Sequence, residues 1–245
     1  MRQKIFLLIA LLCAAAQGAW AQEVWSTWDG NAETKPSFYA SYGGHTNVVV
    51  IKTAGELFYV NRYFDEKSGY DGDKKFCDLN YHLDASIDMG TSWSWIPLGR
   101  RTYTVTKYNG TFYGNGHTIR FKTWYDDDNT TKENQGLFGT INDDGKVYDT
   151  FVECDIDSDD DYVGGIAGQC WGLIQNCRVT GTVKSDDPYV GGIVGSLEGD
   201  GMVLDCYVNG TVQGNDTYVG GIAGSARSSK IERCETARLR ALMNI

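Results

Sequence analysis

Apolar and polar residues alternate with a period of two in three stretches of the second half of the chain, and the three stretches superimpose. Cys177, Val179, Gly181 and Val183 fall on one side of a strand, with Arg178, Thr180, Thr182 and Lys184 on the other, because successive side chains of a β-strand point to opposite faces. Cys206, Val208, Gly210 and Val212 oppose Tyr207, Asn209, Thr211 and Gln213 in the next stretch. Thr150, Val152, Cys154 and Ile156 oppose Phe151, Glu153, Asp155 and Asp157 in the one before. Related glycine blocks keep time with these strands: Gln135 to Gly139, Tyr162 to Gly168, Tyr189 to Gly195 and Tyr218 to Gly224. Their closing glycines are 29, 27 and 29 residues apart.

A fixed period in this range marks a solenoid or a propeller. Propeller blades need ~40 to 50 residues, so the shorter period favours an all-β fold, a right-handed parallel β-helix in which each coil climbs roughly 4.8 Å. Val147, Ile174, Val203 and Ile231 then form an inward ladder, and Asp149, Asn176 and Asp205 a polar column at a bend. Cys177, Cys206 and Cys234 read as small interior fillers. Cys170 and Cys177 are the one local pair worth testing for a disulfide. After Cys234 the inward column would place Arg238 and Arg240 in an apolar core. Residues 235–245 are therefore expected to leave the strand, either as a helical C-terminal cap or as the end of a truncated gene.

A β-helix leaves raw apolar ends that must be covered. Thr53 and Glu56 have capping-box spacing, and Leu57, Val60, Tyr63 and Phe64 follow as an apolar face. The spacing predicts a helix over 54–66 lying across the first coil. Ahead of it, Arg2, Lys4, the apolar run Ile5 to Leu12 and Ala19-Trp20-Ala21 read as an export signal spanning 1–21. Residues 22–52 read as lead-in strands, 53–107 as the capping helix with the first rungs, and 108–234 as the repeat coils. No later stretch supplies the ~20 apolar residues of a transmembrane helix.

Between helix and repeats come Ser86-Ile87-Asp88, Trp95-Ile96-Pro97-Leu98-Gly99 and Gly110-Thr111-Phe112-Tyr113-Gly114-Asn115-Gly116-His117-Thr118-Ile119, followed by Gly136-Leu137-Phe138-Gly139. This ordered series resembles bacterial exported proteins bearing the GLUG repeat, over roughly residues 50 to 234. The resemblance implies a β-helical, secreted or cell-surface, adhesin-like protein, and brings no catalytic residues with it.

Composition narrows the chemistry. The 245 residues carry a net charge of −10, which repels phosphate backbones and argues against nucleic-acid partners. The three histidines, His45, His82 and His117, show no nucleophile or zinc spacing. Pectin-active enzymes share this architecture, so a polysaccharide lyase or hydrolase is the enzymatic alternative. Asp159-Asp160-Asp161 is its only tempting cluster, yet it recurs as Asp186-Asp187 and Asn215-Asp216 at the same corner of later coils. A repeated corner is a loop property. Asp160, Asp187 and Asp216 align there, readable as a hydrated acidic edge or as a calcium site; no other cofactor is implied. On the outer face Phe151, Arg178 and Tyr207 share a column, with Trp171 on a nearby turn, and exposed aromatics beside polar neighbours suit a glycan or a protein surface. A passive spacer within a larger surface protein is the third reading.

Overall fold

The computed structural model describes residues 25–30, 33–70, 74–101, 104–124 and 134–243. The expected export signal lies outside them. Apart from the short antiparallel pair Arg100–Arg101 and Thr104–Val105, the strands assemble into a seven-stranded, an eight-stranded, a four-stranded and a three-stranded sheet whose repeat-coil members pair in parallel with the coil before and after. The three coils from Phe138 to Gly220 each visit all four, and the last, from Ala223, visits three. One complete coil runs through Ala167–Cys170, Leu173–Gln175, Arg178–Ser185 and Val190–Gly191, and the next through Val194–Leu197, Met202–Leu204, Tyr207–Gly214 and Val219–Gly220. The register is the one the alternation predicts, Val152 to Val179 to Val208 and Ile156 to Val183 to Val212. Val147, Ile174 and Val203 form the ladder of the eight-stranded sheet, fully buried. The architecture is a parallel β-helix.

The core tapers along its axis. At the helix end it is aromatic, with Trp95, Tyr81, Tyr108, Phe112, Phe121 and Phe138 all buried; further on it is filled by Val, Ile, Ala and Cys. The predicted helix is present as Ala54–Arg62, shorter than expected because Tyr63 caps it. Both halves of the capping box form: Glu56 N donates to Thr53 Oγ1 and Thr53 N donates to Glu56 Oε2. Its buried residues Ala54, Leu57 and Val60 join the core cluster with Phe64 and Phe76, which closes this end of the solenoid. The lead-in strands Ser37–Tyr42 and His45–Ile51 form an antiparallel hairpin.

Cys177 and Cys206 are buried as expected, while Cys234, in the last rung, is only half-buried. Each of the three thiols donates to the carbonyl two residues earlier, at 3.2–3.3 Å. Cys170 and Cys177 are both free, so the disulfide considered between them is not made. Burial pushes the Cys154 and Cys170 thiols up to about 12, which makes them packing groups rather than nucleophiles.

The expected helical cap at the C-terminal end is a strand instead. Glu235–Met243 pairs in parallel with Tyr207–Gly214, with a bulge between Asn209 and Thr211. The bulge places two residues of the last strand opposite Gly210. It shifts the parity, so that Arg240 pairs with Thr211 of the outward column and Ala241 with inward Val212. Simple alternation cannot anticipate that shift.

The polar bend column is also built as a ladder. Asp149, Asn176, Asp205 and Arg233 all have positive φ, at 49, 54, 55 and 50°, a conformation Asp and Asn adopt more readily than most residues. Asn176 donates to Asp149, Gln175 donates to Asp205, and Arg233 grips the Asp205 carboxylate through Nε and Nη2. Acceptor and donor alternate from coil to coil, so like charges never stack.

A second stack was hidden from the sequence. Tyr162, Tyr189 and Tyr218, which open the three later glycine blocks, lie ring on ring with centroids 4.9 and 4.7 Å apart and planes tilted by 17 and 5°. Tyr189 and Tyr218 are left-handed, φ 67 and 66°, which costs an L-residue roughly 1–2 kcal/mol. Truncation to alanine keeps that cost and loses the stack, whereas glycine loses the stack and relieves the backbone. Urea titration is expected to find Tyr189→Gly more stable than Tyr189→Ala by about 0.5–1 kcal/mol, the reverse of the usual order in strands.

Candidate binding face

Three groups of side chains were singled out in the sequence, and the fold treats them differently. Phe151, Arg178 and Tyr207 stand in one outward column of the seven-stranded sheet, in register between Thr118 and Glu235. Arg178 is exposed, and its guanidinium lies 5.5 Å from the centroid of the Tyr207 ring. Phe151 and Tyr207 are half-buried. Trp171 is not part of this column. It sits on the turn between Ala167–Cys170 and Leu173–Gln175, half-buried, with the Lys107 ammonium 4.5 Å above its ring.

The aspartates separate as well. Asp160 is 4% exposed, and its carboxylate accepts from Gln135 Nε2 at 2.6 Å and Ser158 Oγ at 2.5 Å; it is sealed into the corner rather than hydrated at its edge. Asp187 is half-buried, its backbone N–H held by Ser185 Oγ at 3.2 Å, as that of Asp160 is held by Ser158 at 3.0 Å. In the next coil Gly214 replaces the serine and Asp216 is exposed, accepting from Thr217 N. At the first two positions the serine two residues earlier caps the turn, and at the third Asp216 itself accepts from a backbone N–H. Among the described residues no three His, Cys, Asp or Glu side chains form a group that could hold a metal ion.

The rest of the outward face is ordered by charge. Next to the Phe151 column runs Asp88, Arg120, Glu153, Thr180 and Asn209, and beyond it Lys122, Asp155, Thr182 and Thr211. Arg120 pairs with Asp88 at 3.1 Å and Glu153 at 2.9 Å, Lys122 with Asp155 at 2.8 Å, and Lys184 with Asp157 at 2.8 Å. The early coils thus present paired charges, and the later ones, Arg178 and Lys184 apart, uncharged amides and hydroxyls. Such a face offers directional hydrogen bonds with little net field.

The histidines, unremarkable in sequence, converge at the hairpin. His82 is 8% exposed, and its Nδ1 lies 2.9 Å from Asn115 Nδ2; Asn115 also donates to Leu83 O at 2.8 Å. The His45 ring lies 5.9 Å from that of His82 and stacks on Tyr113 at 3.5 Å. Burial pulls the His82 imidazole below its ordinary value, with His45 and His117 acting the same way and Asp84 opposing them. The unfolded chain therefore takes up this proton before the folded one does, and stability is lost as pH falls through about 6.5. The melting temperature is expected to drop between about pH 7.5 and 5.5, and less steeply in His82→Gln; equal slopes would clear His82 of the effect. Only tertiary structure reveals this cluster, since its members come from three separate turns.

A stack of parallel coils whose outer face is polar and whose glycine blocks repeat defines a β-solenoid repeat protein. The model of the GLUG motif matches residues 187–213, the segment that runs from the Asp187 corner through the Val194 block to the outward strand at Gln213. Halomucin of Haloquadratum walsbyi is 30% identical over 183 residues, which is 71% of this chain and 2% of halomucin; the chain thus spans a small fraction of that relative. Among solved structures, a candidate immunoglobulin A1 protease from Bacteroides ovatus superposes with a TM-score of 0.54 at 17% identity, covering 80% of this chain and 77% of the other, a likeness of fold. The chain carries a GLUG motif at residues 187–213 on a parallel β-helix.

Proposed function

We propose that this protein is an exported, non-enzymatic, adhesin-like module at the cell surface that binds a glycan or a protein through the outward face of its seven-stranded sheet. The observation that carries the reading is the Phe151–Arg178–Tyr207 column: an exposed guanidinium against an aromatic ring, in register with neighbours that include uncharged Thr and Asn. Arg and Tyr dominate recognition surfaces because they combine a large contact area with directional hydrogen bonds. The halomucin match supports a surface role, and the n-region and apolar run of residues 1–21 support export.

The test is an array of glycans and extracellular-matrix proteins probed with the wild-type protein and with Arg178→Ala/Tyr207→Ala. A ligand whose affinity falls at least about tenfold in the double variant is expected, the scale of one lost anchor. A wild-type protein that binds nothing, or a variant that binds equally well, defeats the reading and leaves a passive spacer. Export is tested by sequencing the N-terminus of the chain recovered outside the cell, which should begin at Gln22.

A further inference from the structure

The outward face carries a groove of about 300 Å3, lined by Gly90 and Thr91 on one side and by Arg120, Lys122, Glu153, Asp155 and Thr182 across three adjacent strands. Its floor exists because of a glycine. Gly181 is exposed and has φ +102°, and a Cβ built on it would lie 2.0 Å from Cys154 O; Gly210, next in the column, would meet Gly181 O at 2.1 Å. Beyond Phe121 and Cys154 of the same column, Gly181 and Gly210 add no side chain, so backbone lies bare there between Thr180 and Thr182.

The walls are electrically spent. Arg120 and Lys122 are matched by Glu153 and Asp155 in ion pairs of 2.9 and 2.8 Å, so an anionic ligand would have to break pairs already made. Indole rings border the same region. The half-buried Trp25 stacks on the Arg120 guanidinium at 4.3 Å. Trp124, which directly follows the strand Thr118–Thr123, is 43% exposed, and Trp93, whose ring stands edge-on to Phe58 at 5.5 Å, is 42% exposed. Their segments touch, as Trp124 N donates to Ser94 Oγ at 3.3 Å. Flat apolar faces beside fixed, charge-balanced hydrogen-bonding groups match the alternating C–H and O–H surfaces of a sugar ring.

We propose that this groove is a binding site for an uncharged polysaccharide chain, with Trp93 and Trp124 as stacking platforms and the ion-paired walls supplying hydrogen bonds to hydroxyls. The proposal rests on the binding-module reading above and adds to it a second location and a ligand class.

Affinity electrophoresis through gels containing neutral glucan, galactomannan or xylan, and separately polygalacturonate or heparin, tests it. Retardation by at least one neutral polymer is expected, weakened at least about tenfold in Trp93→Ala/Trp124→Ala, whose far-ultraviolet circular dichroism should match wild type. Thr182→Arg, which fills the groove and unbalances its charge, should weaken neutral binding as well. Retardation by anionic polymers alone, or neutral binding that survives both variants, overturns the proposal. If Arg178→Ala/Tyr207→Ala alone abolishes neutral binding, this groove is refuted while the broader reading stands. If the wild-type protein is retarded by none of the polymers, the groove proposal falls, and the array decides the broader reading by itself.

Discussion

Gly195→Ala is expected to destabilise the fold by at least about 3 kcal/mol, a large part of a typical domain's 5–15 kcal/mol. The added methyl carbon would lie 2.6 Å from Val163 N, 2.7 Å from Gly168 O and 2.8 Å from Tyr162 C. All three are backbone atoms of the preceding coil, and none can rotate away. Gly224 is crowded in the same way, against Tyr218 O, Gly195 O and Tyr189 C at 2.6–2.7 Å. The closing glycines of these two blocks are thus required by space, where backbone of the preceding tyrosine-bearing turn comes close. Gly199→Ala is the control. Its φ is +56° and its nearest neighbour is Trp171 Cδ1 at 3.4 Å, so it should cost only the left-handed penalty of about 1–2 kcal/mol. Chemical denaturation of both variants gives the comparison; similar losses would mean that backbone conformation, and not contact between coils, accounts for the motif.

Phe138→Ala is expected to cost about 3–5 kcal/mol. Phe138 is fully buried, stacked on Tyr108 at 5.0 Å and edge-on to Phe112 at 5.6 Å. The next coils carry Ala167, Val194 and Ala223 at the same register, so alanine is sterically acceptable in the column itself. The penalty is local to the aromatic end, where helix and plug close the solenoid and neighbouring rings cannot collapse into the void. Val194→Ala removes two methyl groups from a better-filled rung and should cost about 2 kcal/mol or less. Equal losses at the two sites, measured by urea titration, would show that the aromatic plug is not specially packed.

Much of this was legible because a parallel solenoid converts sequence alignment into spatial alignment. Val152, Val179 and Val208 share a column in the sequence and in space for one reason, the in-register pairing of coils. The same holds for the Phe151, Arg178 and Tyr207 column, the most specific element of the candidate site to be foreseen. The capping box was legible because it is local. The Glu235–Met243 strand was not, since one bulge shifts its pairing register by a residue. The tyrosine stack escaped because it occurs at turns with positive φ, where alternation gives no guide to direction. The surroundings of Trp171 and Asp160 could not be read in the sequence, because they are set by Lys107 and Gln135, partners from other coils.

The bend column of Asp149, Asn176, Asp205 and Arg233 bears on how such a protein can change length. Because hydrogen-bond givers and takers alternate there, the true structural repeat along this edge is two coils, although the glycine blocks recur every one. Duplicating the Asp205 coil alone would set one carboxylate directly over its copy, whereas inserting two consecutive coils preserves the order. Gene-level expansion or contraction of the array in even steps would conserve this edge, and odd steps would require a compensating substitution at the bend.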